Sequence, residues 1–391
     1  MLFPPIDPNE RFRERRTQAR RMKRRRRSAL IGVVLVGVAL AGLGAQFVGG
    51  GNGRVGTVLD GDTLPATTSL RPLPLEIRGV HVTMGLASVD GKLEEYVGLA
   101  DEGLTAIELD VKDEDGQIGF DARSARLAKR IGATQSFYDA REAARLVHSK
   151  GLYLIGRLVV FEDPVLSHAR PELAVRRTDG SVWEDAAGLG WTNPYDKRVW
   201  DYNIAVAAAA ARSGFDEIMF DYVRFPSDGD VENAVYGPRR GLAKNDAVPA
   251  FFAYAAKRLA PLGVRVSAAV FGLSAARDMG IGQIPRRIAR QVDAIYAMTY
   301  PSLFGSGELG LADPGAAPGA TVSRALKRFK RALEGRNALL VPWVQDFSYS
   351  IPYGKDEVRA QIYAARIAGA KGYLLWNANG DYTSGTLTPP S

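Results

Sequence analysis

The stretch Glu217-Ile-Met-Phe-Asp-Tyr-Val-Arg-Phe225 is the fourth of eight short apolar runs that end in polar residues. Helix-like stretches separate these runs from position 78 to the C-terminus. Strands and helices alternating in this number and order predict an α/β protein with the (β/α)8, or TIM barrel, architecture. Because such barrels place their chemistry where the strands end, Asp221 is the first candidate for a functional residue.

The other runs complete the predicted barrel. The eight predicted strands cover residues 78–84, 106–112, 152–161, 217–225, 265–272, 294–300, 339–346 and 372–377. Only fourteen residues follow Asn377. The eighth helix is therefore predicted to be missing or replaced.

Two of the intervening helices have clear end signals. One is predicted to begin at Asn193-Pro194, a capping residue followed by proline at the first helical position, and to end at Ser213-Gly214. The other covers residues 355–368 and stops at a glycine. Its periodicity places Val358, Ile362 and Ala365 on one buried face.

The positive charge of the chain is concentrated in its first 28 residues. These carry eleven Lys or Arg and three Asp or Glu, a net charge of +8, which equals the net charge of all 391 residues. The rest of the chain therefore sums to zero and has no excess positive charge to neutralise phosphates. We expect no nucleic-acid partner, and we interpret residues 1–28 as a basic cytoplasmic tail.

An uncharged apolar segment follows this tail at residues 29–48. About 20 such residues can cross a bilayer as a helix, and the flanking Lys and Arg should keep the N-terminus in the cytoplasm. A cleavable signal peptide is the alternative, since Leu43-Gly44-Ala45 resembles a cleavage site. Residues 49–77 have linker composition, and residues 78–391 form the predicted barrel domain. We expect a membrane-anchored protein with an extracytoplasmic barrel, or a secreted one if the segment is cleaved.

Cysteine is absent, and the chain has three histidines, His81, His148 and His168. Thiolate nucleophiles and thiolate metal sites are thereby excluded. The histidines form no His-x-x-x-His pair, so a zinc enzyme is not expected. We predict neither a metal nor a cofactor.

Alternation along the strands predicts which side chains line the barrel. In the second strand Ile107, Leu109 and Val111 share one face and should meet the helices. Glu108, Asp110 and Lys112 share the other face and should point inward. The fourth strand is predicted to direct Met219, Asp221 and Val223 inward. Burying several charged groups is costly unless they pair or take part in chemistry.

A carboxylate such as Asp221 suits glycoside hydrolysis as a nucleophile or as a stabiliser of an oxocarbenium-like transition state. A second acid would have to protonate the leaving oxygen. Asp110 is the first choice for this partner because of its inward face, followed by Asp346 and Asp163. A structural ion pair between Asp221 and a neighbouring cation such as Lys112 is the alternative.

Further residues at strand ends are candidates for substrate binding. Aromatic rings there serve as platforms for sugar rings, or as ordinary core residues, and amides and charged groups can bind hydroxyl-rich ligands. The predicted substrate-binding residues are Lys112, Asp113, Asp163, Tyr222, Arg224, Tyr300, Trp343, Gln345, Asp346, Trp376 and Asn377.

Several blocks together resemble one known family. They are Asp110-Val-Lys-Asp113, Phe161-Glu-Asp-Pro164, the run 215–229, Met298-Thr-Tyr-Pro-Ser302, Pro342-Trp-Val-Gln-Asp-Phe347 and Leu375-Trp-Asn377. The family is a group of bacterial exported barrels of the DUF4015 type, assigned as glycoside hydrolases, and the similarity covers about residues 78–382. The resemblance implies a TIM barrel that acts on a carbohydrate.

The fourth strand is also distantly similar to that of chitinase-type glycosidases. In those enzymes acidic residues would occupy the positions of Met219 and Val223. Their absence argues against the substrate-assisted chitinase mechanism here.

Residues and resemblance together predict a membrane-anchored, extracytoplasmic glycoside hydrolase that cleaves a cell-envelope or exported polysaccharide. Asp221 and Asp110 are its predicted catalytic residues. The alternative is a non-catalytic barrel that binds glycan or scaffolds the cell envelope. An esterase or deacetylase is a third hypothesis, which no Gly-x-Ser-x-Gly motif and no metal triad in the sequence supports.

Overall fold

In the computed structural model, which describes residues 70–237 and 241–388, eight parallel strands close into a barrel in sequence order. The strands are β1 (Ile77–Val82), β2 (Ala106–Lys112), β3 (Tyr153–Val159), β4 (Glu217–Asp221), β5 (Arg265–Phe271), β6 (Ala294–Met298), β7 (Leu339–Gln345) and β8 (Gly372–Trp376). Strand β8 pairs with β1 and closes the ring. The predicted TIM barrel is confirmed.

Helices connect the strands and pack around them. They are α1 (Met84–Ala87), α2 (Lys92–Gly98), α3 (Arg126–Arg130), α4 (Ala140–Ser149), α5 (Pro164–Ala169), α6 (Lys197–Ser213), α7 (Lys244–Leu259), α8 (Pro285–Ile288), α9 (Pro318–Ala332) and α10 (Lys355–Ile367). Val358, Ile362 and Ala365 of α10 are buried as the periodicity predicts. One contiguous apolar core joins the outer strand faces to the helices.

The predicted cytoplasmic tail (1–28), the predicted membrane segment (29–48) and most of the predicted linker (49–77) lie outside the described residues. Within the described residues, no helix combines the length and apolar character that a membrane span requires.

Helix α6 begins later than predicted. The side chain of Asp196 caps it by accepting the N–H of Arg198. Asn193 instead accepts the N–H of Tyr195 at 3.1 Å, which forms a turn ahead of the helix. Asx turns compete with helix capping for the same kind of residue, so the Asn-Pro signal marks a turn here.

No helix follows β8 in the described residues, and an irregular segment takes its place. The hydroxyl of Tyr96 donates to the carbonyl of Gly380 at 2.8 Å. Tyr382 donates to the carbonyl of His81, and the side chain of Leu387 is buried. Residues 377–388 therefore replace the eighth helix.

Strand β2 contains an irregularity that changes one predicted orientation. Asp110 pairs with Arg157, but Lys112 pairs with Leu158, so the register shifts by one residue between Asp110 and Lys112. The Lys112 ammonium contacts Asn203 on α6, outside the barrel wall, at 2.8 Å. The prediction that Lys112 points inward is wrong, because a β-bulge reverses the alternation of side chains.

Candidate active site

A single guanidinium joins three carboxylates at the carboxyl ends of β2, β3 and β4. Arg157 donates to Asp221 from Nε at 2.9 Å and from Nη2 at 2.7 Å. Its Nη1 donates to Asp110 at 3.0 Å, and its Nη2 donates also to Glu114 at 2.7 Å. All four side chains are buried. Asp221 and Asp110 thus lie together in the barrel, as predicted, but an arginine that the prediction missed connects them.

The strand register explains how Arg157 reaches these acids. Arg157 lies beside Asp110 in the β2–β3 ladder, and Asp221 lies beside Val159, two residues further along β3. The long side chain of Arg157 therefore spans from one neighbouring strand to the other. The signal in the sequence was a lone cation inside the apolar run 152–161, since a buried arginine needs anionic partners.

The second residue that sequence reasoning missed is Glu114. It lies in a tight turn after β2 in which Asp113 accepts the N–H groups of Asp115 and Gln117 at 3.1 and 3.0 Å. Gly116 closes the turn with a φ of +72°, a conformation that side chains other than glycine rarely adopt. The turn brings Glu114 back over the strand end. The predicted substrate-binding residue Asp113 therefore shapes the turn that presents Glu114.

Glu114 is close to Asp221. Their carboxylate oxygens contact the same nitrogen of Arg157, each at 2.7 Å, so the two oxygens are at most twice that distance apart. Burial raises the pKa of Asp221 above its ordinary value, although the Arg157 guanidinium opposes this and Glu114 adds to it. The Asp221 carboxylate also accepts the N–H of Tyr222 at 2.7 Å.

The backbone is strained next to Asp221. Tyr222 has a φ of +52°, in the left-handed region that is unusual for a bulky residue. Such strain often occurs at functional sites, where surrounding contacts maintain it. Here it turns the chain sharply at the end of β4, directly after the candidate catalytic carboxylate.

A histidine lies deeper in the barrel. His81 Nδ1 is 2.8 Å from Glu108, and its Nε2 is 3.8 Å from Asp110. Burial alone would lower the pKa of His81, but the carboxylates of Glu108 and Asp110 outweigh it and raise that pKa. One ligand atom from each of these three residues lies within 4.8 Å of the others, so the group has the donors for a metal ion. The direct His81–Glu108 and Arg157–Asp110 contacts already give these charges partners.

Aromatic rings form one wall of the site, which we call the aromatic wall and define as Tyr300, Trp343, Phe347 and Trp376. The Tyr300 ring lies 5.4 Å from that of Trp376 and 6.3 Å from that of Trp343. The Arg157 guanidinium lies 5.8 Å from the Trp343 ring centre, which ties the wall to the carboxylates.

Two polar atoms of this wall are buried without a hydrogen-bond partner among the described residues. They are the Tyr300 hydroxyl and the Trp343 indole nitrogen. Burial raises the pKa of Tyr300 well above its usual value, so its hydroxyl is neutral and can donate. Unpaired buried donors are rare in native proteins and indicate where a ligand or water binds.

Lys112 and Asp163 lie away from this site. Their side chains form a fully buried ion pair of 2.7 Å. Asp163 also caps α5 by accepting the N–H of Leu166 at 2.8 Å. This pair fastens the loop after β3 to β2 and does not face the carboxylate cluster.

Gln345, Asp346 and Asn377 hold the loops around the aromatic wall. Gln345 donates to the Ser302 hydroxyl and the Phe347 carbonyl, both at 2.9 Å. Asp346 accepts from the hydroxyl and the N–H of Thr383 at 2.6 and 2.8 Å. Asn377 donates to the carbonyl groups of Asp346 and Asp381. These contacts keep the loops after β6, β7 and β8 in place.

Arg224 is enclosed by aromatic rings. Its guanidinium lies 4.8 Å from the ring centres of Trp191, Tyr222 and Phe271. It also donates to the Ser227 hydroxyl at 3.1 Å. Cation–π contacts of this kind stabilise a desolvated arginine. Arg224 and Tyr222 thus support the loop that follows β4.

Comparison with known proteins gives one family and several structural neighbours. Residues 79–382 match a family model described as "Putative glycosyl hydrolase domain". A hypothetical protein from Ruminiclostridium thermocellum is 37% identical, over 48% of this chain and 96% of its own, with a TM-score of 0.45. A comparison with curated proteins found no match to this chain.

Two more distant structures show the same barrel fold. The glycoside hydrolase domain of PgaB (BpsB) from Bordetella bronchiseptica is 13% identical, over 81% of this chain and 100% of its own, with a TM-score of 0.59. The catalytic domain of β-amylase from Paenibacillus polymyxa is 11% identical, over 80% of this chain and 95% of its own, with a TM-score of 0.52.

Proposed function

The chain belongs to this glycosyl hydrolase family, and on that premise we propose that its barrel cleaves glycosidic bonds of a cell-envelope or exported polysaccharide. The family match confirms the resemblance seen in the sequence and covers the same stretch. The observation that carries the proposal is the cluster of Asp221, Glu114 and Asp110 on one guanidinium, beside an aromatic wall. Paired carboxylates at the strand ends are what glycoside hydrolysis requires.

Asp221 takes the role of nucleophile or electrostatic stabiliser. Its contact with Arg157 favours the ionised carboxylate, against the effect of burial. A sugar bound against the aromatic wall would bring its anomeric carbon towards this end of β4. The hydroxyl of Tyr300 and the indole N–H of Trp343 supply donors for its oxygen atoms.

Two residues are candidates for the acid/base. Asp110 is completely buried and lies 3.0 Å from Arg157 Nη1, behind the strand end. Glu114 is 8% exposed, lies in a loop, and shares Arg157 Nη2 with Asp221. This sharing is compatible with the carboxylate separation of about 5–5.5 Å that retaining enzymes use. We assign the acid/base role to Glu114. Asp110 has the role of holding Arg157 in position.

Asn and Gln substitutions test these roles. Asp221→Asn should lower the release of reducing ends from cell-envelope polysaccharide by about 10³-fold or more, because the charge that stabilises the transition state is lost. Glu114→Gln should lower it by about 10²–10⁴-fold and remove the alkaline limb of the pH profile. Asp121→Asn, an exposed acid after β2, is the matched control and should leave activity unchanged.

Substrates with better leaving groups separate the two candidate acids. A leaving group that needs no protonation should restore most of the rate in the variant that lacks the acid/base. Restoration in Asp110→Asn but not in Glu114→Gln would transfer the acid/base role to Asp110. Full activity of Asp221→Asn would exclude its proposed role.

A non-catalytic glycan-binding or scaffolding barrel is the second candidate. The observation that favours it is the burial of all three carboxylates, which leaves each of them less than a tenth exposed. It predicts unchanged glycan affinity in Asp221→Asn and no bond cleavage by the unsubstituted protein. Binding measurements beside the activity assay decide between the two.

We further propose that residues 29–48 anchor the protein in the membrane with the barrel on the extracytoplasmic side. The basic residues before this segment and the linker composition after it support this orientation. Extraction of membranes with alkaline carbonate should leave the protein in the pellet. Protease added outside should reach the barrel.

A further inference from the structure

The end of the barrel opposite the candidate active site carries a cluster of arginines. Arg290 precedes β6 and Arg336 precedes β7, while Arg286 lies in the short helix α8. Arg290 and Arg336 line a groove of about 710 Å³, together with Leu70 and Asp293. Among the described residues, none of the three arginines forms an ion pair with a carboxylate.

The positive charges of Arg290 and Arg286 repel that of Arg336. Limited desolvation, together with the nearby charges of Arg290 and Arg286, lowers the pKa of Arg336. The Arg336 Nε atom has no hydrogen-bond partner among the described residues. Arginines that repel one another and form no ion pair among the described residues are suited to an external anion.

The surrounding helices add further positive charge at the same end. Helices end where strands begin in this fold, and α7 and α9 both finish in basic pairs, Lys257-Arg258 and Lys330-Arg331. Basic residues in a last helical turn also stabilise the helix dipole, which accounts for these pairs individually. The dipole does not account for Arg290 and Arg336, which lie outside helices. Asp293, an acid in the groove, already accepts the N–H of Val266 at 2.9 Å.

The chain enters the barrel at this end. Arg265, the first residue of β5, donates to the carbonyl of Arg71 at 2.6 Å. Lys371, just before β8, donates to the carbonyl of Leu75 at 2.9 Å. Residues 70–76, with which the described part of the chain begins, therefore lie at the same end of the barrel as the arginines.

We propose that the arginine end of the barrel, defined by Arg286, Arg290 and Arg336, docks on the anionic phospholipid surface of the membrane that anchors the chain. Phosphate groups of the lipids occupy the space between the guanidinium groups and relieve their repulsion. Docking directs the carboxylate cluster away from the bilayer, towards polysaccharide in the envelope. The inference rests on the membrane attachment proposed above.

Fluorescence energy transfer to labelled lipids tests the docking with the full chain in vesicles. The protein has no cysteine, so Asn337→Cys places one dye beside the groove. Ser350→Cys places it on an exposed loop after β7, at the opposite end. Two vesicle preparations are compared. The neutral one contains phosphatidylcholine alone, and in the anionic one phosphatidylglycerol makes up a third of the lipid. Transfer from position 337 should rise with phosphatidylglycerol and fall with added salt, while transfer from position 350 should be lower in anionic vesicles.

Removing the arginines should abolish this lipid dependence. Each Arg→Gln substitution at positions 286, 290 and 336 should lower the docking equilibrium by about fivefold. The matched control removes three exposed arginines near the other end of the barrel, Arg123, Arg198 and Arg277. It should leave the transfer unchanged, and circular dichroism should show both triple variants folded.

The outcomes separate docking from anchoring. If carbonate extraction leaves the protein in the vesicles but transfer from position 337 is the same in both lipids, the docking proposal is wrong and the anchor stands. An equal loss in both triple variants would also overturn docking at this site. Loss of the protein on extraction would instead refute the membrane attachment itself.

Discussion

At the scale of the residue, the site depends on a charge balance centred on Arg157. One guanidinium neutralises part of the charge of Asp110, Glu114 and Asp221, all in a buried position. Taking ions out of water is expensive, and only close pairing offsets the cost. The cluster is therefore stable as a unit, while the loss of its cation leaves several carboxylates uncompensated.

Arg157→Gln should destabilise the protein by about 3–5 kcal/mol at neutral pH. Burial already raises the pKa of Asp221, and Arg157 limits that rise, so the variant should raise this pKa further. An acid whose pKa is higher in the folded than in the unfolded protein contributes stability below the unfolded value, about 3.9, and loses it as pH increases. The deficit relative to the unsubstituted protein should thus widen as the pH rises above about 4.

Urea unfolding at several pH values measures this deficit. The control is Arg198→Gln, an exposed arginine paired with Asp196, which should change stability by less than about 0.5 kcal/mol. A deficit of the same size at every pH would mean that Arg157 acts through packing and not through charge.

At the scale of the element, the bulge in β2 divides two functions within seven residues. Before it, Glu108 and Asp110 face the lumen and meet His81 and Arg157. After it, Lys112 points outward to Asp163 and α6. Bulges redirect side chains at barrel rims in this way. The same strand therefore supplies the site and fastens the neighbouring loop.

Lys112→Met should destabilise the protein by about 3–5 kcal/mol, because it leaves the Asp163 carboxylate buried without a cation. Lys112→Met combined with Asp163→Asn should recover part of the loss, since asparagine still caps α5 without a charge. Lys150→Met, at an exposed lysine, is the control for urea unfolding. Equal losses in the single and double variants would show that the charge on Asp163 is unimportant.

At the scale of the whole molecule, the barrel closes through β1 and β8, and the irregular segment after β8 covers that seam. Tyr382 donates to His81 in β1, and Gly380 accepts from Tyr96 in α2. The segment thus connects the last strand to the first helices, a task that the eighth helix performs in a complete (β/α)8 fold.

Ending the chain after Asn377 should lower the melting temperature by several degrees. Burial of Leu387 alone contributes about 1.5–3 kcal/mol, and each kcal/mol shifts the melting temperature of a domain this large by about 2–4 °C. Leu387→Ala should give a smaller decrease of the same sign, and Thr388→Ala, at an exposed residue, almost none. If the truncated chain has the same melting temperature as the unsubstituted protein, the segment is dispensable for stability. Calorimetry provides the measurement.

The sequence by itself determined the barrel, because strand periodicity and the order of elements are local properties. It also placed Asp221 and Asp110 on an inward face, since alternation holds wherever a strand is regular. The alternation failed at Lys112, where a bulge that no local signal marks reverses the pattern. The sequence also did not show that Asn193 forms a turn and that Asp196 caps helix α6, because asparagine and aspartate occur in both structures.

Only the tertiary structure decided which charges meet. Arg157 and Glu114 are separated from Asp221 by 64 and more than a hundred positions, and the strand register and one glycine turn bring them together. Of the arginines at the opposite end, Arg286 and Arg290 precede β6 and Arg336 precedes β7, and the repulsion of Arg336 by the other two exists only after folding. Contacts between distant segments depend on closure of the barrel, and a pattern within one segment carries no information about them.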